Sequence, residues 1–108
     1  MTHATADELK AINSFADFYP IYLQEHSHRL CRRMHFIGSS LGLLCLGMLL
    51  ASGQWQYLLY GLLCGYVCAW MGHFAFEHNK PASFSRPLYS FMADWVMYKD
   101  MWLGKLSF

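Results

Sequence analysis

The sequence predicts an all-α membrane protein: a helical hairpin of two transmembrane spans, flanked by N- and C-terminal amphipathic helices. Three observations predict it. No Lys, Arg, Asp or Glu occurs between Arg33 and Glu77, although one membrane helix needs only ~20 apolar residues. The chain is 56% hydrophobic and 14% charged, whereas soluble domains carry about 25% charged residues. The polar break Ser52-Gly53-Gln54 divides the uncharged stretch into two lengths that each suffice for a span. A soluble two-helix core would need a polar face on each helix, and neither stretch has one. At 108 residues the chain is read as a single domain, 1-108. A net charge of +1 lacks the clustered basic excess that nucleic-acid binding requires, so no nucleic acid is expected as a partner.

The first amphipathic helix is expected over about 6-24. Thr5 followed by Glu8 is a capping-box pattern, and Leu9, Ile12, Phe15, Tyr19, Tyr22 and Leu23 recur at helical spacing on one face. Pro20 is expected to kink it. The spans follow at about 34-52 and 55-76, with Trp55 and Tyr57 at the turn, where aromatic side chains favour a membrane interface. Asn79 to Ser85, with Pro81, forms a polar connection. The C-terminal helix is expected over about 87-103, opened by Ser85 and Pro87 and ended by Gly104. Its stripe of Leu88, Phe91, Met92, Trp95 and Trp102 is expected to pack on the hairpin with partial contact to the interface. Arg29, Arg32 and Arg33 precede the first span, Lys80 and Arg86 follow the second, and the turn has no basic residue; both termini are therefore expected in the cytoplasm. Met1 to Asp7 lack the features of a signal peptide, so secretion is not expected.

Cys31, Cys45, Cys64 and Cys68 form neither a C-x-x-C pair nor a zinc-ribbon spacing. Cys64 and Cys68 are read as small apolar packing residues, with no disulfide expected.

Five of the six histidines flank the apolar hairpin. His35 and His73 each stand about nineteen residues from the turn, so both lie ~28 Å from it and meet at one level. Glu77, four residues after His73, shares its face on a regular helix. His26 reaches the same place if the chain breaks near Ser27, with Ser27 capping the next helix. His26, His35, His73 and Glu77 are thus the candidate metal ligands, a set suited to Fe(II) or Zn(II), and two His with one carboxylate is the pattern of non-haem iron oxygenases. Spacing alone names no metal. His28 and His78 are read as solvated, His3 as tail, the three arginines as lipid-headgroup contacts, and Asp94 as the partner of a basic residue.

At these residues the sequence resembles a family of small helical membrane proteins that includes the fungal iron(II)-dependent 2-hydroxy fatty acid dioxygenase of phytosphingosine breakdown. Tyr22, His26, His35, Gly38, Gly72-His73-Phe74-Ala75-Phe76-Glu77 and Pro81-Ala82 carry the resemblance, which spans roughly 15 to 105. The compact form is similar to the short bacterial branch, which implies a bacterial inner membrane. Relatives often hold Asn-Pro where this chain reads Ser27-His28-Arg29. The resemblance implies an Fe(II) cofactor, a lipid or fatty-acid substrate and O2, and loss of one carbon from a 2-hydroxy acyl chain. It matches His26, His35 and His73 to the family's histidines and Glu77 to its motif glutamate. Glu77 is the catalytic candidate, either ligating or holding the second ring nitrogen of a ligand histidine. Two other classes stay open: a haem carrier using His35 and His73 as axial ligands, and a metal-free membrane scaffold. A homodimer is a further expectation, because a two-span bundle offers few groups to cover a metal.

Overall fold

Thr5 begins the described chain, its Oγ1 accepting from the Glu8 N–H at 3.1 Å, as the capping pattern predicts. The computed structural model describes residues 5–80 and 85–108. His3, Pro81-Ala82 and most of the expected Asn79 to Ser85 connection lie outside the described residues. The described residues are all-helical: α1 (Ala6–Lys10), α2 (Phe15–Glu25), α3 (Arg29–Ser52), α4 (Gln56–Gly72), a π-helical turn (His73–Glu77) and α5 (Pro87–Trp102).

The single helix expected over 6-24 is two. Ser14 adopts an extended conformation and accepts from the Asp17 N–H at 3.2 Å, so a cap restarts the helix where continuous periodicity had suggested one rod. Pro20 lies inside α2 without ending it.

α3 and α4 form the hairpin. Gly53 closes it in the left-handed region at φ 71, donating its N–H to the Leu49 carbonyl at 2.7 Å. The helices approach through glycine–cysteine pairs. A Cβ on Gly38 would stand 2.9 Å from the Cys68 Cβ, one on Gly61 3.1 Å from the Cys45 Cβ, and one on Gly72 3.0 Å from the Cys31 Sγ. Glycine on one helix thus admits the small cysteine of the other, as small residues do between membrane helices. α3, and α4 continued through the π-turn to Glu77, are each long and apolar enough to cross a membrane, and only 11% and 17% of their apolar windows are buried in the chain.

The buried apolar core lies instead between the amphipathic segments, where Leu9, Phe18 and Tyr22 meet Ala93, Met97 and Met101. Arg86 ties α5 to the end of α1 by donating to the Leu9 and Lys10 carbonyls, both at 3.0 Å. The inward face of α5 is Ser90, Ala93, Met97 and Met101 rather than the expected stripe; Leu88 and Trp102 remain 69% and 67% exposed. Apolar residues occur on every side of α5, so the largest of them do not mark its packed face. On its flank α5 meets α3 through Tyr98, whose ring lies tilted against Phe36 at 4.7 Å and whose hydroxyl hydrogen-bonds Ser40 at 2.9 Å.

Candidate metal centre

Three elements bring the histidines together. His26 caps the C-terminus of α2, His35 lies near the start of α3, and His73 opens the π-turn after α4. The corner between α2 and α3 supplies the fold-back that the sequence requires, though its N-cap is His28, whose Nδ1 accepts from the Leu30 N–H at 3.1 Å, and not Ser27. All three candidate rings are buried. The His26 centroid lies 4.4 Å from that of His35 and 4.3 Å from that of His73, both edge-on. The donor atoms of His26, Cys31, His35 and His73 all lie within 4.8 Å of one another.

The hydrogen bonds around the cluster fix which nitrogen of each ring faces it. His26 Nδ1 meets the Tyr22 carbonyl at 2.7 Å, so Nδ1 carries the hydrogen and Nε2 the lone pair. His35 Nδ1 faces the Asp94 carboxylate at 3.4 Å, which turns its Nε2 toward the cluster. Asn79 turns its amide NH2 to Glu25, donating to Oε2 at 2.6 Å and to the backbone oxygen at 3.2 Å, which leaves its Oδ1 to accept from His73 Nδ1 at 2.7 Å. Each Nε2 is thereby assigned to the cluster. This is the arrangement in which an outer acceptor fixes the tautomer and orientation of a ligating histidine.

Tyr22 serves two rings. Its carbonyl holds His26, its ring stacks on that imidazole at 4.0 Å, and its hydroxyl donates to the Asp94 carboxylate that faces His35. Burial, and then the Asp94 charge, push the Tyr22 phenol well above its ordinary value, so it stays a donor. Burial, and then the neighbouring His35 and His73 rings, push the His26 imidazole well below its ordinary range. It is neutral at neutral pH, the form that binds metal.

Glu77 stands apart from the converging donors. Its carboxylate accepts from the His28 N–H and from the Ser27 hydroxyl, the latter at 3.4 Å, which ties the π-turn to the α2–α3 corner. Four-residue spacing stacks side chains only at 3.6 residues per turn, and here the His78 N–H bonds the His73 carbonyl in the wider i, i+5 pattern. His78 itself is exposed, at φ 56, and ends that turn.

Cys31, Asn79, Glu25 and Asp94 are the participants that sequence reasoning missed. Cys31 precedes His35 by one helical turn, a spacing that could have flagged it. Asp94 pairs with a basic residue as expected, and that residue is His35, with the Tyr22 hydroxyl as a second partner. Haem does not fit between His35 and His73: their centroids are 5.2 Å apart with planes at 89°, and His26 fills the angle between them.

A metal ion does fit. His26 Nε2 and His35 Nε2 face one another at a separation of 3.0 Å, at which the pair shares a proton or takes a metal ion in its place. The separation matches two ligands at right angles with bonds of about 2.1 Å.

No curated protein and no solved structure matches the chain. A family model described as Mpo1-like, 2-hydroxy-palmitic acid dioxygenase Mpo1-like, matches residues 12–106, a stretch that contains every residue of the cluster and its supports, and the chain belongs to that family.

Proposed function

We propose that the cluster holds Fe(II) and that the protein is a 2-hydroxy fatty acid dioxygenase, shortening its substrate by one carbon with O2 at a membrane surface. One observation carries the proposal: three buried imidazoles, each with its Nδ1 held by its own outer acceptor, converge, two of them with their Nε2 atoms 3.0 Å apart. Nitrogens so placed need a proton or a metal cation between them. The family description supplies the substrate class.

Bound Fe(II) would supply the redox chemistry for O2 and an electrophilic centre for the substrate's hydroxyl and carboxylate. Three histidine ligands, in place of two with a carboxylate, leave positions open for both. The chain's own residues do the rest. His26, His35 and His73 hold the ion. Tyr22, Asp94 and Asn79 hold the rings, and burial of all three imidazoles keeps bulk water from the ligand bonds. Glu77 takes neither of the two roles expected of it, since Tyr22, Asp94 and Asn79 hold the three Nδ1 atoms; it positions the α2–α3 corner that carries His26.

The apolar, exposed hairpin favours insertion in a bilayer, because helices of a soluble core would be mostly covered. Arg29, Arg32 and Arg33 at one end and none at the turn favour cytoplasmic termini in a bacterial inner membrane.

Cys31 motivates a second reading, a closed structural site in which its thiolate completes a Cys-His set for Zn(II). Anaerobic purification with metal analysis separates the two. The dioxygenase reading expects near-stoichiometric iron, O2 uptake with a 2-hydroxy fatty acid and a product one carbon shorter. It also expects His73→Ala to lose both iron and turnover while Cys31→Ala keeps iron. Zinc in the parent protein, lost in Cys31→Ala, would replace it with the structural site.

A further inference from the structure

We propose that the groove between the hairpin and α5 takes the substrate's acyl chain, and that Gly65 and Gly42 set the chain length it accepts. The proposal rests on reading the cluster as the site of the substrate's head.

The groove begins at the cluster. His35 and Asp94 wall one end of a half-open groove that continues past Gly38 and Gly65. An adjoining stretch shares Gly42, Gly61, Leu62, Phe91 and Trp95 with it and runs on to Leu49 and Tyr57 beside the hairpin turn. From His35 to Leu49 the path follows α3 for about 21 Å. Polar groups cluster at the histidine end, and the far stretch is walled almost wholly by apolar side chains. A molecule with a chelating polar head and one long apolar tail has this shape.

The hairpin's glycines fall into two classes. Gly38, Gly61 and Gly72 are required by the facing helix, whose atoms would lie 2.9 to 3.1 Å from an added Cβ. Gly65 has no such reason: a Cβ there would meet nothing within 4 Å, and at Gly42 the nearest atom would be 3.8 Å away. Glycine weakens a helix interior, and of the three uncrowded helix glycines, Gly42, Gly47 and Gly65, the groove offers a cause for Gly42 and Gly65 alone. Both positions border the groove. Side chains there would narrow the path of an acyl chain without disturbing the helix contact.

Gly65 stands across from Gly38, one turn from His35, and Gly42 lies a further turn along. A side chain at each should therefore truncate the path at a different distance from the head. Gly47 provides the control, because a Cβ there also meets nothing within 4 Å and the residue borders neither stretch.

Binding is read without turnover. Trp55, Trp70 and Trp102 are replaced by Phe, which leaves Trp95 as the one indole and places it in the groove. The probe is a 2-hydroxy fatty acid brominated in mid-chain, added to the anaerobically purified protein in detergent. Quenching of Trp95 should saturate and be reversed by the unbrominated acid. Gly65→Val should weaken binding of long chains by about tenfold or more and leave the shortest within about twofold, since each methylene kept from apolar cover lowers affinity. Gly42→Val should move the cut-off to intermediate lengths, and Gly47→Val should leave the profile unchanged. Gly65→Ala, a better helix former, should give a smaller shift in the same direction. Unchanged profiles in both valine variants overturn the proposal, as does equal, non-displaceable quenching by a brominated phospholipid, which would assign the groove to bilayer lipid. Displaceable binding without turnover in the parent protein counts against the dioxygenase alone. Turnover with an unaltered chain-length profile counts against the groove alone.

Discussion

Three rings are oriented by three unlike acceptors, a backbone carbonyl, a carboxylate and an amide oxygen, so the cost of losing each should differ. Asn79→Ala removes the acceptor for His73 and should lower iron affinity by ~10 to 100-fold, as loss of such supports typically does; competition with a chelator of known affinity measures it. Asp94→Asn can still offer an oxygen to His35 and should lose less iron than Asp94→Ala. Tyr22→Phe keeps the carbonyl and the stacking on His26 and gives up only the bond to Asp94; it should fall closer to the parent than Asp94→Ala. The meeting of His35 and His73 was legible from arithmetic, because two apolar lengths and a turn fix their level, whereas His26 joined them only on the condition of a chain break near Ser27. Asn79 was not legible. Its approach to His73 depends on the π-turn and on left-handed His78, and neither leaves a trace in a 3.6-residue period. Cys31 was hidden for a different reason: a cysteine among apolar residues reads as packing, and against Gly72 it also packs.

At the scale of elements the hairpin depends on which glycines are crowded. Gly38→Ala should destabilise it by about 1–3 kcal/mol, because the new methyl overlaps the Cys68 Cβ and the Gly65 backbone. Gly47→Ala meets nothing and should be neutral or stabilising by up to ~1 kcal/mol. Thermal unfolding in one detergent compares them. The π-turn and the α2–α3 corner form a second joint, tied by Glu77. Glu77→Gln retains an oxygen for the His28 N–H and gives up the charge at the α3 N-terminus, worth about 0.3–1 kcal/mol; it should keep most iron. Glu77→Ala leaves that end untied and should release iron. A Gln variant as depleted as His73→Ala would instead make Glu77 a ligand. The expected i, i+4 stacking of His73 and Glu77 presumed a regular helix, and one added residue per turn is enough to redirect the carboxylate. The inward face of α5 escaped the sequence for another reason: large apolar residues lie on every side of that helix, so the stripe of Leu88, Phe91, Met92, Trp95 and Trp102 does not single out the packed face.

The whole molecule separates two kinds of apolar surface. Leu9, Phe18, Tyr22, Ala93, Met97 and Met101 are buried in protein at the end that carries the cluster, while Leu44, Leu50, Leu58, Leu63 and Val67 on the hairpin are more than half exposed. An aqueous protein with that distribution would aggregate through the hairpin, whereas a bilayer supplies the missing cover. The sequence made this division visible because the charges are absent from the same stretch that the fold leaves uncovered. Arg32 and Arg33 hold the chain end, donating to the Ser107 hydroxyl at 3.1 Å and the Phe108 carbonyl at 3.2 Å, so the C-terminus lies on the basic side of the hairpin. Moving three arginines across a membrane is unfavourable, whereas Gly53 and its neighbours bring no charge with them. Reporter fusions at Met1 and at Phe108 should therefore both read cytoplasmic, and a reporter inserted at Gly53 should read the opposite side. If the Gly53 reporter shared the side of the termini, the hairpin would lie along the surface without crossing. The groove would then open to headgroups where the present reading opens it to acyl chains.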